Sequence, residues 1–301
     1  MELRRGSLFA NLLTLGNGIC GFAALVKLSE IQVIDGALHN GENLVFAGYL
    51  ILLGMLFDVF DGKVARMVKG ATELGAQLDS LCDLVTFGLV PAFMIVQMNL
   101  ALADQEPFWG NMVWFFSLAY FLGALLRLAR FNVENSPDED AHLCFKGLPS
   151  PAAAGCVASL VIFQGYVQGA PVSSLLKAEQ AELRWLSGYF PKVFEGVTYF
   201  GGAINYVLPL LAVILGFTMV SSRLKFEHIG SRILGKSHSW EFFVTLIFAA
   251  LFLAIVPEIF LPLAFIGYLV WTPVMFIIRL VFGGRGAPKV DEEEPQTLQR
   301  S

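Results

Sequence analysis

Apolar runs long enough to cross a bilayer recur through this chain, near residues 8–27, 43–60, 77–99, 109–128, 151–170, 201–220, 240–256 and 259–280. About twenty apolar residues span the hydrocarbon core as a helix. Within that core only helices and closed barrels satisfy every backbone polar group. Hydrophobic residues make up 56% of the 301 and charged residues only 15%, which excludes a soluble globular chain. The expected fold class is all-α: a polytopic integral membrane helical bundle of about eight transmembrane helices.

One stretch breaks the apolar pattern. Residues 57–83 read FDVFDGKVARMVKGATELGAQLDSLCD and join the second and third runs. They place Asp58, Asp61, Asp79 and Asp83 at or inside the membrane boundary. A carboxylate at that depth costs on the order of several kcal/mol, so the group needs compensating positive charge. Asp58 and Asp61 are three residues apart, and Asp79 and Asp83 four apart, so each pair shares one helical face. The two helices are antiparallel neighbours, and the faces can meet. Converging oxygen ligands of this kind suit Mg²⁺ or Mn²⁺ and can hold two such ions, a pair that clamps a phosphate or diphosphate. Gly62 and Gly75 leave the backbone approachable, and Lys63, Arg66 and Lys69 offer charge to phosphate oxygens. Two other readings fit the acids alone. Pairing with those three cations in a solvated loop accommodates Asp58 and Asp61, but poorly Asp83, which lies ~10 Å into an apolar run. An acid-lined transporter path is the other.

The spacing distinguishes these readings. From Asp58 the chain reads D-x2-D-G-x2-A-R-x8-G-x3-D-x3-D, through Asp61, Gly62, Ala65, Arg66, Gly75 and Asp79 to Asp83. This resembles the full signature of the CDP-alcohol phosphotransferase family, with no departure. The resemblance implies that Asp58, Asp61 and Asp79, with Asp83 contributing, hold two divalent metals on the diphosphate of a CDP-linked substrate. It implies that Asp83 deprotonates the acceptor hydroxyl and that Gly62, Ala65, Arg66 and Gly75 line the nucleotide site. It also implies a homodimer.

Three further segments resemble the branch of that family whose acceptor is L-serine: NLLTLGNGICGF at 11–22, RLARFNV at 127–133 followed by FKGLPSPAAAG at 145–155, and MVSSRLKF at 219–226. The resemblance thus covers roughly residues 8–226 and leaves the last two runs unmatched. It implies transfer of a phosphatidyl group from CDP-diacylglycerol to the serine hydroxyl, with release of CMP. Another acceptor, such as glycerol 3-phosphate or an inositol phosphate, is the alternative within the family. Arg127 and Arg130 end a helix on the active side, and a guanidinium binds a carboxylate bidentately. Asn132 suits the ammonium or hydroxyl of serine, and Lys146 is a further acceptor-binding candidate. The plain alternative is that these cations anchor a helix end or meet lipid headgroups. Asn11, Thr14 and Asn17 recur every three residues on one face. They suit nucleotide contact, capping of the carboxylates, or hydrogen bonds between helices. The small residues after Pro149, Ser150 and Pro151 indicate tight helix packing.

Charge sets the expected orientation. Sixteen of the twenty Lys and Arg fall at helix ends on the side of the N-terminus and the acidic loop, and four on the other. The positive-inside rule then puts both termini and the active site at the cytoplasmic face of the inner membrane. The partners expected are CDP-diacylglycerol, serine and the lipid bilayer, with no nucleic acid. Cys20, Cys82, Cys144 and Cys156 form no CxxC and read as small hydrophobes, not as disulfides or zinc ligands. Residues 171–190 suit an interfacial helix on the outer face. Residues 1–283 are expected to form one membrane-embedded catalytic domain, and the polar 284–301 a disordered cytoplasmic tail.

Overall fold

A computed structural model describes residues 5–67, 72–134, 144–168, 191–221, 225–227, 252–253 and 255–282. Nine α-helices are described: α1 (Arg5–Ser29), α2 (Glu42–Met67), α3 (Glu73–Asp83), α4 (Val90–Met98), α5 (Leu100–Gln105), α6 (Pro107–Glu134), α7 (Ser150–Val167), α8 (Pro191–Val220) and α9 (Pro257–Phe282). A π-helical turn, Leu84–Leu89, joins α3 to α4 as one continuous span. Six helical stretches are long and apolar enough to cross a membrane: Leu8–Ser29, Glu42–Val64, Glu73–Met98, Pro107–Val133, Ser150–Val167 and Gly201–Val220. The first six expected spans are therefore present. The seventh falls almost wholly outside the described residues, as do the interfacial helix and the tail. The eighth is the helix α9, whose shorter apolar stretch is Pro257–Trp271.

Apolar residues exposed to lipid and small residues turned inward explain the packing. Helix α7 is central, in contact with α2, α4, α8 and α9. Its Ala153, Ala154, Gly155, Cys156, Val157 and Ala158 are all buried, as its small-residue composition suggested. Phe108, Trp114, Phe115 and Phe217 instead stand exposed on α6 and α8, as lipid-facing side chains do. Cys20, Cys82 and Cys156 are free and buried.

Two small sheets tie the ends of the bundle. Strand β1 (Gln32–Ile34) pairs antiparallel with β2 (Ala37–His39) between α1 and α2. Asp35 and Gly36 have φ of 52° and 76°, the doubly positive turn that Asp-Gly favours in a two-residue hairpin. At the acidic end, β3 (Cys144–Lys146) pairs antiparallel with β4 (Lys225–Glu227). Gly147 follows with φ of 91°, and the Leu148 N–H then donates to Thr218 O at 3.1 Å. These bonds fasten the entry to α7 onto the end of α8.

Helices α6 and α8 meet at Gly123 and Gly216. A Cβ on Gly123 would lie 2.6 Å from the Gly216 Cα, whereas one on Gly202 of α8 would meet nothing within 4 Å. Gly123→Ala should therefore destabilise the bundle by about 1–3 kcal/mol. Gly202→Ala should leave stability equal or slightly raised, since Ala is the better helix former. Thermal unfolding of the two variants in detergent checks the contrast. Equal midpoints would refute the close α6–α8 approach.

Candidate active site

Asp58 and Asp61 occupy the last turns of α2, one turn apart, and Asp79 and Asp83 the second half of α3. Thr72 starts α3 by accepting a hydrogen bond from the Gly75 N–H at 3.1 Å. The antiparallel return brings the faces together: one carboxylate oxygen each from Asp58, Asp61 and Asp79 lie within 4.8 Å of one another. Asp83, one turn beyond Asp79, is buried deeper in the bundle.

Helix α1 supplies the hydrogen bonds that orient these acids. The Thr14 hydroxyl donates to Asp61 Oδ2 at 2.7 Å, and Asn17 Nδ2 donates to Asp83 Oδ1 at 2.9 Å. Both α1 residues are buried. Asn11, on the same face, sits against Gly75, where a Cβ would lie 2.9 Å from its Oδ1. Gly54 of α2 does the same for Asn17, with 2.9 Å from a Cβ to Asn17 Oδ1. Any larger residue at Gly54 or Gly75 would push α1 away from the acids.

The site has features that a ligand would complete. Asp79 Oδ1 is buried with no hydrogen-bond partner among the described residues. Three converging carboxylate oxygens, with an Asp79 oxygen left unpartnered, fit a divalent cation. Gly62, beside Asp61, faces open space, since a Cβ there would meet nothing within 4 Å. Lys63 is exposed next to it. Ala65 and Arg66 lie on α2, but their side chains are outside the described set, as is that of Lys146 on β3.

The acceptor-side candidates do not all behave alike. Arg127 of α6 turns into the bundle: its Nη1 donates to Ser150 Oγ at 2.6 Å, in the first turn of α7. It also lies within Coulombic range of Asp58 and Asp83. Arg130 is half-buried one turn further on. Asn132 Oδ1 accepts a hydrogen bond from the Ser80 hydroxyl at 2.9 Å, so Asn132 ties the end of α6 to α3.

Sequence reading missed the π turn directly after Asp83. There the Tyr120 hydroxyl donates to Phe87 O at 3.0 Å, and Thr86 Oγ1 donates to Asn17 O at 3.0 Å. Wide turns of this type recur at functional sites, and their irregular ladder leaves carbonyls such as Phe87 O for a side chain. Pro91 early in α4 was the local signal. Ser150 was read as a packing residue, and only its spatial neighbour Arg127 gives it a polar role.

The sequence is similar to that of known proteins. The family described as CDP-alcohol phosphatidyltransferase matches residues 7–185. The chain is 34% identical over 149 residues to the CDP-diacylglycerol–serine O-phosphatidyltransferase of Bacillus subtilis, covering 50% of this chain and 72% of that protein. It is 34% identical over 163 residues to the protein of the same name from Saccharomyces cerevisiae, covering 52% and 54%. With that of Methanocaldococcus jannaschii it shares 36% over 105 residues, covering 35% and 45%. The match thus spans only about half the length of the yeast and archaeal relatives. No solved structure matches the chain significantly.

Carboxylates this close repel one another unless a cation lies between them. Asp58→Asn should therefore raise the thermal midpoint in EDTA by about 2–4 °C, the equivalent of roughly 1 kcal/mol. The same variant should lose most of the stabilisation that Mg²⁺ or Mn²⁺ gives the parent by binding the folded state. A variant that keeps the full metal-dependent shift would remove Asp58 from the metal site.

Proposed function

Because the chain belongs to the CDP-alcohol phosphatidyltransferase family, we propose that it transfers the phosphatidyl group of CDP-diacylglycerol to the hydroxyl of L-serine, giving phosphatidylserine and CMP. The observation that carries this reading is the convergence of Asp58, Asp61 and Asp79 near a half-buried guanidinium, Arg127. The serine-acceptor names of the relatives support the choice of acceptor.

Asp58, Asp61 and Asp79, with Asp83 contributing, are the residues to hold two divalent ions, Mg²⁺ or Mn²⁺. Bound there, such ions neutralise the diphosphate of the donor and the phosphate of the leaving CMP. The remaining work falls to the chain. Gly62 leaves space against which the nucleotide can lie, with Ala65, Arg66 and Gly75 in the same signature and Lys63 beside the phosphates. Asn11 and Thr14 fix the α1 side of that pocket, Thr14 through its bond to Asp61. Asp83 accepts the serine hydroxyl proton. Asn17 holds Asp83 Oδ1, which leaves Oδ2 for that proton. The serine oxygen then bonds to the lipid-bearing phosphorus, and the bond from that phosphorus to the CMP oxygen breaks.

Arg127 is placed to receive the serine carboxylate, with Arg130, Asn132 and Lys146 on the same side. A guanidinium presents a planar fork that matches a carboxylate, and ammonium does not. The enzyme acts as an integral membrane protein with both termini and the acidic site toward the cytoplasm, where serine and CMP are soluble. The donor enters from the bilayer. A homodimer is the expected assembly.

Two measurements test the reading. Purified protein given CDP-diacylglycerol and serine should release CMP, should stop in EDTA, and should resume with Mg²⁺ or Mn²⁺. Glycerol 3-phosphate as the better acceptor would move the chain to another branch of the family. Asp83→Asn should lower CMP release by a factor of about 10² or more, the usual contribution of a general base, while CDP-diacylglycerol still binds with metal present. Substantial release at saturating serine would leave Asp83 a metal ligand at most.

A further inference from the structure

Helix α9 lies beyond the segment that the family match covers, which ends at residue 185. It nevertheless reaches the site. Helix α9 packs on α7, where the Phe265 ring covers Gly155 so closely that a side chain there would have no room. From Gly155, α7 runs back five residues to Ser150, which accepts the Arg127 hydrogen bond. From Phe265, α9 runs on three residues to Tyr268. At 1.5 Å per residue these steps are about 7.5 Å and about 4.5 Å. Helix α9 also touches β4, which pairs with β3 at the entry to α7, so α9 runs toward the acidic end while α7 runs away from it, and Tyr268 lies within Coulombic range of Arg127. The Tyr268 ring is half-buried and packed against the core of the bundle.

Arg127 is thus bonded to Ser150 of α7, with Asp58 of α2, Asp83 of α3 and Tyr268 of α9 within Coulombic range. Bidentate capture of a carboxylate needs the guanidinium plane held in one orientation. A single bond to Ser150 leaves the plane free to turn about it. Charged and polar neighbours on other helices, Tyr268 among them, limit that freedom.

We propose that α9 forms one wall of the acceptor pocket and that Tyr268 is a positioning residue, steadying the Arg127 guanidinium for the carboxylate of an amino-acid acceptor. This rests on the reading of the acceptor as serine. The last helix is then part of the specificity machinery and not only a lipid-facing addition to the bundle.

The test is a double-mutant cycle on the purified, full-length protein, with Tyr268→Phe, Arg127→Lys and the pair, read as CMP release. Tyr268→Phe keeps the ring and its packing. It should raise the KM for serine about threefold to tenfold, on the order of one polar interaction. The KM for CDP-diacylglycerol and the kcat should stay within about twofold. In the Arg127→Lys background the same change should add less than about twofold, because the fork it steadies is already gone. Full additivity, or equal rises in both KM values, overturns the proposal. So does a Tyr268→Phe protein whose thermal midpoint falls while both KM values rise, which would make Tyr268 a packing residue. If the parent protein releases no CMP with serine, the acceptor reading fails, and the proposal fails with it. If the parent turns over serine normally and Tyr268→Phe matches it, only the role of Tyr268 is lost.

Discussion

Mutual repulsion among buried carboxylates is the constraint around which the acidic half of this bundle is arranged. Asp58, Asp61 and Asp79 bring oxygens within 4.8 Å of one another, a spacing that no apolar environment tolerates without opposing charge. The chain supplies part of the answer itself. Thr14 and Asn17 donate hydrogen bonds to Asp61 and Asp83, and the Arg127 guanidinium faces Asp58 and Asp83 from α6. Asp79 Oδ1 keeps no partner among the described residues. A site that is nearly but not fully compensated binds cations strongly, because the cation removes the residual repulsion.

That arrangement explains why α1, which carries no acid of the signature, packs so closely on α2 and α3. Threonine and asparagine side chains are short. They reach a carboxylate on a neighbouring helix only if the backbones come close, and Gly54 and Gly75 leave the space for Asn17 and Asn11. The helices contribute in different ways: α2 and α3 bring the acids, α1 orients two of them, and α6 and α7 meet at the Arg127–Ser150 bond. Outer-shell bonds of this kind tune the affinity of a site as much as its ligands do.

What could be read from the residues alone follows from what each signal depends on. The acids were legible because a separation of three or four residues fixes a shared helical face whatever the surroundings. The same reasoning put Asn11, Thr14 and Asn17 on one face, but it left their partners open, since the rotation of α1 against α2 depends on packing. Spans one to six were legible from hydropathy. The β1–β2 hairpin was not, although Asp35-Gly36 carried its turn signal, because the apolar runs on either side dominated the reading. The bond that Asn132 accepts from Ser80, between α6 and α3, had no local signal. Ser150 meets Arg127 only through the tertiary fold, and no local pattern announces such a meeting.

The π turn at Leu84–Leu89 changes what a single membrane span can do. A wide turn holds one residue more than an α turn, and each residue of a helix advances the azimuth by about 100°. The stripe of α3 that carries Asp79 and Asp83 is therefore out of phase with Val90, Met94 and Met98 of α4, a helix buried on nearly every side. An unbroken helix would have to point its acids and its packing seam along one line. With the phase break, the deep half of the span can grip α6 while the shallow half turns its carboxylates toward α1 and α2. The span works as two helices with independent rotation, joined without leaving the bilayer or exposing a loop to lipid.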